Sequence, residues 1–347
     1  MIEVIAVIFL FLSMVTLHEL GHLILAKRAG VYCHEFSVGM GPKLYGFNFR
    51  NTYYSFRILP IGGFLRMAGR DDWSYWYNKT VYIHHTNGML SDIYEVQNKN
   101  SYPVNLIKVD PKAGNVTFRS LDQTDEYTLK FLPSASIVTA RNSRYPLLPD
   151  HVLFQSKTIS QRICIFAAGP LANLVFSFFI VLGILFSIGM PEKSTVVIKQ
   201  DKLESHTNIT SQEGSGSAYS LKNGIKETYS HESLFINGFK RTVIGDDIQH
   251  KTIGPAGLIM ESYYTVKEQG LKAFLVWVSI INMYLAIFNL LPFPALDGGR
   301  IFFLILEAIR RKPMESSKES LINLAGSIVL VLLMVATTWS DIHNFLA

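Results

Sequence analysis

The sequence predicts a membrane α-helical protein: four transmembrane helices, a membrane-associated β-rich segment on the cytoplasmic side, and a short extracytoplasmic segment. Three observations carry that fold class. Of 347 residues, 49% are hydrophobic and only 17% charged, against about 25% charged in a soluble domain, and the mean hydropathy is +0.23. Four stretches reach the roughly 20 apolar residues that a hydrocarbon core requires. The basic residues flank those stretches, whereas a nucleic-acid surface would need them clustered on a soluble face. The net charge of +5 therefore reports topology.

The first helix covers residues 1–26, with Glu3, His18, Glu19 and His22 as its only ionisable groups. It lacks a basic stretch before its apolar run, and polar residues interrupt that run, so it reads as a retained helix and not a cleaved signal. The second helix covers 163–189 and is uncharged. The third, with the motif that follows it, covers 272–299, and the fourth 321–340. Lys27 and Arg28 follow helix one, Lys157 and Arg162 precede helix two, and Arg300, Arg310, Arg311, Lys312 and Lys318 fall between helices three and four. By the positive-inside rule, 27–162 and the loop 300–320 are cytoplasmic. Both termini and segment 190–271 are then extracytoplasmic in a multi-pass protein of the cell membrane. That outer segment carries ten acidic and nine basic residues, so no positive bias opposes the assignment.

Segment 27–162 is patterned for strands. Residues 53–59 are rich in aromatic and β-branched side chains. Pro60, Ile61, Gly62 and Gly63 break the run, and residues 64–67 resume it. This predicts a β-hairpin or re-entrant β-loop over 53–69. Further short strands are expected near 81–84, 105–109, 115–118 and 127–131, divided by Asn, Gly, Pro and Asp turn residues. In the outer segment, 211–217 reads as a flexible linker, and 257–270 as an interfacial helix.

The chemistry begins at His18-Glu19-Leu20-Gly21-His22. Residues four apart share a helix face, so two imidazoles can meet one ion. Glu19, one position round, can take a proton from an activated water; this is the zinc metalloprotease spacing. Inside a transmembrane helix each ionisable group costs about 2.5–3.5 kcal/mol or more. Three in five residues demand a compensating partner. A catalytic zinc site usually takes three protein ligands. The third candidate is Asp297, in the stretch 289–299 where Pro292 and Pro294 break helix three and Gly298 and Gly299 permit a tight turn. A helix stop with an aspartate cap is its blander reading. His34 and Glu35 are rivals that lie beyond Lys27 and Arg28, and Asp71 and Asp72 read as solvated loop residues.

The chain resembles the site-2 proteases, a family of intramembrane zinc metalloproteases, and within it the bacterial regulator-of-sigma-factor branch of Gram-positive type. The resemblance rests on 18–22, 35–42, 57–69, 168–173, 254–257 and 289–299, in family order along nearly the whole chain. It implies Zn2+ as cofactor, with His18, His22 and Asp297 as its ligands and Glu19 as general base. It further implies that Asn289 holds substrate near the metal; a helix–helix hydrogen bond is an equal reading of that residue. The β-loop with Gly62, Gly63 and Phe64 would pair with an unwound substrate strand, a role that β-augmentation makes physically sensible. Gly169, Pro170 and Asn173 read as packing and kink residues.

One departure stands out. Relatives in this branch usually carry a PDZ domain between helices two and three, and the residues available here are too few for about 100. The expectation is a missing or vestigial PDZ domain. Substrates implied by the resemblance are single-pass membrane segments: anti-sigma factors, signal-peptide remnants or peptide-pheromone precursors. Two other classes fit part of the pattern. A membrane zinc transporter has no use for a base at Glu19, and a catalytically inactive, membrane-binding pseudoprotease would lack zinc or tolerate Glu19→Gln. Cys33 and Cys164 fall on the reducing side and read as unpaired packing residues.

Overall fold

The structure, a computed structural model, describes residues 2–98, 101–121, 125–140, 143–188 and 254–346. The expected linker 211–217 and most of the outer segment 190–271 lie outside the described residues. Among the described residues four helices are long and apolar enough to cross a membrane: Ile2–Arg28, Ile159–Ile184, Pro255–Asn289 and Ser316–His343. Together with a β-rich region they make the chain a multi-pass membrane protein.

The first helix, α1 (Ile2–Arg28), has Glu3 in its first turn and Lys27 and Arg28 in its last, the charges that complement a helix dipole. Helix α2 (Ile159–Ile188) starts at a capping box. The Thr158 hydroxyl accepts from the Gln161 amide and the Gln161 side chain accepts from the Thr158 amide, at 3.3 and 3.1 Å. Gly254 then caps α3 (Pro255–Tyr264), and a π turn joins it to α4 (Gly270–Asn289). The expected interfacial helix 257–270 and the expected span near 273 are thus one 35-residue candidate span. The stretch 300–320, expected as a loop, is largely helix: α5 runs Asp297–Arg310. Its charges mark the ends of an amphipathic helix whose apolar residues (Ile301, Leu304, Ile305, Ala308) recur at helical spacing. The last helix is α6 (Ser316–Leu346).

Strand β1 (Cys33–Phe49) was not foreseen, because glycines and Pro42 interrupt its pattern. It pairs with β2 (Thr52–Met67), which covers the predicted hairpin. The two fold back on themselves. Residues 43–49 pair with 52–57, while 35–38 lie between 53–56 on one side and 63–66 on the other. The segments 43–49 and 63–67 are left as the sheet's two edges. Arg50 and Asn51, both with positive φ, make the turn.

Among the described residues six further strands follow: β3 (Thr80–Thr86), β4 (Met89–Tyr94), β5 (Tyr102–Asp110), β6 (Asn115–Ser120), β7 (Glu126–Val138) and β8 (Arg144–Pro146). Their order is β4-β3-β5-β6-β7-β8, and a parallel β4–β7 pairing closes five of them into a barrel. Alternate residues point inward. Val81, Ile83, Leu90, Ile93, Leu106, Val116, Phe118 and Ile137 make a buried core that Trp73 and Trp76 extend. Four of these strands cover expected positions; β4 and β8 do not.

The chain divides into two units, Met1–Leu17 with Pro170–Leu296 and Ser316–Ala347, and His18–Gly169 with Asp297–Glu315. In the first, Leu10, Met14, Phe274, Val278 and Ile281 form a buried cluster. The Asp341 carboxylate accepts from the Gly254 and Gly257 amides at 3.2 and 2.8 Å, supplying from α6 the side-chain oxygen that the capping residue Gly254 does not have. The second unit holds the sheet, the barrel and the residues described next.

Candidate metal centre

His18 and His22 lie one turn apart on α1, and Asp297 is the first residue of α5. His18 Nε2 is 3.0 Å and His22 Nε2 3.3 Å from Asp297 Oδ2, and the two nitrogens are 3.2 Å apart. Among the described residues this is the one group of three or more His, Cys, Asp or Glu able to share an ion.

The geometry fits zinc. Tetrahedral coordination at about 2.0–2.1 Å from each ligand atom places those atoms about 3.3 Å apart, close to the three observed separations. The tautomer of His22 agrees. Its Nδ1 donates to the Ile165 carbonyl at 2.7 Å, which leaves the inward Nε2 with a free lone pair, the arrangement metal-bound histidines adopt. The Asp297 Oδ2 atom is buried and faces the two imidazole nitrogens, a costly position for a carboxylate unless a positive charge meets it. The imidazole planes stand at 84° with centroids 4.8 Å apart, so both rings can direct Nε2 to one point.

Glycine 169 makes room for this arrangement. A Cβ there would overlap His22 Nε2 and lie 2.8 Å from His18 Nε2. Its reading as a packing residue was correct in kind, but what it packs against is the pair of candidate ligands. Glu19 is half-buried and feels the charges of His18, His22 and Asp297, with the Leu65 backbone amide against its carboxylate. Leu65 belongs to the free edge of β2, so a strand edge lies beside the general-base candidate.

The other expected site residues fall as follows. Gly62 and Gly63 lie at the bend into that edge, Gly62 with φ +78. The Phe64 ring stacks under the Arg57 guanidinium, 5.0 Å from its centroid. Asn289 ends α4 in the other unit, where its amide donates to the Leu285 carbonyl at 3.0 Å. The rivals are engaged elsewhere. His34 meets Asp72 at 2.8 Å, and Glu35 meets Arg57 at 2.9 Å. Asp72 is therefore not a solvated loop residue: it also accepts from the Gly69 amide at 3.1 Å and anchors the turn entering the barrel. Sequence reasoning missed the Ile165 carbonyl and the Leu65 amide, since a backbone atom leaves no trace in residue identity.

Comparison with known proteins gives a concordant picture. The family profile described as "Peptidase family M50" matches residues 6–333. "Zinc metalloprotease RasP" of Geobacillus kaustophilus is 30% identical, with 99% of this chain and 98% of the relative aligned. "Regulator of sigma-W protease RasP" of Bacillus subtilis is 29% identical, with 98% of each chain aligned. "Zinc metalloprotease RasP" of Oceanobacillus iheyensis is 28% identical, with 99% of each aligned.

Proposed function

The chain belongs to peptidase family M50, the site-2 proteases, and we propose that His18, His22 and Asp297 hold the zinc of this intramembrane metalloprotease while Glu19 carries the proton. The observation that carries the assignment is the meeting of three ligand atoms at 3.0, 3.2 and 3.3 Å. Zinc bound there supplies Lewis-acid chemistry, acidifying a water towards a pKa of about 7 and polarising a peptide carbonyl. Glu19 takes the proton of the attacking water and delivers it to the leaving amine.

A transmembrane helix shields its amides, so the substrate must unwind before attack. The 63–67 edge of β2 offers unpaired backbone to an extended segment, in the manner of β-augmentation. Gly62, Gly63 and Phe64 lead into that edge, and Asn289 is the further substrate contact. The substrates are single-pass membrane proteins or peptides: anti-sigma factors, signal-peptide remnants or pheromone precursors. The Bacillus subtilis relative is named for regulation of sigma-W, which favours the first class.

Residues 27–162 and 300–320 face the cytoplasm and both termini face outward, an orientation supported by the basic residues that flank the helices. The Geobacillus alignment spans 418 positions against 347 residues here. That relative thus carries residues this chain lacks, in keeping with a PDZ domain missing from 190–271.

The test is co-expression of a tagged single-pass substrate with the wild type or Glu19→Gln, read as fragment size on a gel. An intramembrane-sized fragment is expected from the wild type, with at least a hundredfold less from the variant. Equal fragments from both would remove Glu19 as the base. Metal transport that survives in the variant without any cleavage would support the transporter reading.

A further inference from the structure

We infer that Arg162 and Glu307 form a positioning pair that sets the metal geometry by locking α5, the helix that begins at Asp297, against α2, the helix that supports the imidazoles. Arg162 is buried and Glu307 nearly so; two guanidinium nitrogens reach the two carboxylate oxygens, one at 3.1 Å. The inference rests on the metal reading of the cluster and extends it to residues outside the ligand set.

The register of the two helices carries the argument. On α2, Arg162, Phe166 and Gly169 recur at spacings of four and three, so they share one face. Glu307 meets Arg162, and the Arg300 guanidinium lies over the Phe166 ring, 5.3 Å from its centroid. The contacts run in opposite senses along the two helices, which are therefore antiparallel here. Continuing one step brings Asp297 to the level of Gly169, where a Cβ would collide with both imidazoles. The Ile165 carbonyl that orients His22 lies within the same stretch of α2. Arg162 thus ties the ligand on α5 to the frame that fixes the ligands on α1.

Stability does not by itself account for such a pair. Burying two charges carries a heavy desolvation cost before their attraction is counted, and apolar replacements are often neutral or better. What a bidentate guanidinium–carboxylate contact adds is geometry, because two parallel hydrogen bonds fix rotation as well as distance. From Glu307 back to Asp297 is ten residues of helix, about 15 Å at 1.5 Å per residue. A small rotation of α5 at Arg162 therefore moves the Asp297 carboxylate relative to the imidazoles.

The experiment uses the full-length protein purified in detergent micelles, stripped of metal. Zinc affinity is measured by competition with a chelator, and the absorption spectrum is recorded with Co2+ as probe. Arg162→Met and Glu307→Gln are each expected to weaken zinc about 10–100-fold, as loss of supporting contacts around a metal does, and to alter the cobalt bands. Arg162→Lys, with charge but no fork, should fall between, and the exchange Arg162→Glu with Glu307→Arg should recover part of the loss. Folding is scored separately by melting the apo forms. Affinity within twofold of wild type in folded Glu307→Gln and Arg162→Lys would overturn the proposal, whatever their melting temperatures. Should Arg162→Met not fold, the isosteric Glu307→Gln and Arg162→Lys carry the test alone. A wild type that binds no zinc overturns instead the metal reading beneath it.

Discussion

The sheet of β1 and β2 and the barrel of β3–β7 are built from adjacent stretches of one chain, yet they handle apolar surface in opposite ways. The barrel turns its large side chains inward. Ile83, Leu90, Ile93, Leu106, Val116, Phe118 and Ile137 have no measurable exposure, and the polar residues between them meet solvent. The sheet holds Phe36 and Val38 inside but presents Met40, Leu44, Tyr45, Phe47, Phe49, Phe56, Ile58 and Leu59 outward, with Leu44 66% and Tyr45 64% exposed. Closure explains the difference. A barrel without edges makes its own interior, whereas a sheet with two free edges and one crowded face must find apolar surroundings elsewhere. A contiguous outward patch of this kind marks an interaction surface. One region is self-contained; the other leaves apolar surface for something outside it to cover.

The largest effect that could break this contrast is a core truncation. Phe118→Ala should destabilise the barrel by about 3–5 kcal/mol, since it removes a fully buried ring that Tyr127 packs against. Leu44→Ala, at an exposed site, should change stability by less than about 0.5 kcal/mol. Pulse proteolysis across a urea series, in detergent micelles, reads both. A comparable loss at Leu44 would mean that the sheet has a protein core of its own after all.

The same contrast governs how much of the molecule was legible beforehand. The imidazole pair was, because His18 and His22 are four apart in a single helix and need no distant partner to be seen. Asp297 was legible through its breakers: two prolines and two glycines at the end of an apolar helix announce unwound backbone, and a lone aspartate there needs a reason. The barrel strands that alternate cleanly, β3, β5, β6 and β7, were read near their true positions. Short β4 was not, and neither was the closure, since a parallel β4–β7 pairing joins residues some 40 apart that carry no mark of each other. Helix α5 was hidden by its charges, which resemble a loop until the apolar residues between them are laid on a helical wheel. Arg162 read as a topology signal, and its partner Glu307 stands 145 residues away. Supports of this kind are set by tertiary register, which local pattern does not encode.

A middle-sized effect separates the two regions by backbone. Gly39 in the sheet and Gly88 in the barrel's first hairpin both have positive φ, +83 and +75. Either glycine changed to alanine should incur the left-handed penalty of about 1–2 kcal/mol. At Gly88 nothing lies within 4 Å of the new methyl, so the cost should stop there. At Gly39 the methyl meets the Leu59 carbonyl oxygen at 2.5 Å and that of Arg57 at 3.1 Å. Backbone atoms of a paired strand do not yield cheaply, and the total should exceed that of Gly88→Ala by about 1–3 kcal/mol. Equal costs at the two sites would show the sheet to be soft where its folded-back register requires it to be tight.

The smallest effect is electrostatic. In the barrel, Arg119 and Glu126 pair at 2.6 Å with both side chains nearly half exposed, a contact worth about 0–1 kcal/mol and weakened by salt. In the sheet, burial alone would raise the Glu35 pKa, but the Ser55 hydroxyl, the Arg57 guanidinium and the Lys43 ammonium together hold it below its ordinary value. A carboxyl lowered on folding stabilises the folded form above its unfolded pKa of about 4.5, and that contribution fades as pH falls through the lower folded value. Hydrogen exchange at the Val38 and Phe56 amides should therefore accelerate as pH falls below about 4.5, beyond the intrinsic pH dependence of exchange. In Glu35→Gln the extra dependence should vanish, because no proton is then gained over that range. Protection in the barrel, at Val116 and Leu129, should not follow the Glu35 substitution at all. A shared response would mean that the two regions open together, and that the free edge beside Glu19 is no looser than the barrel next to it.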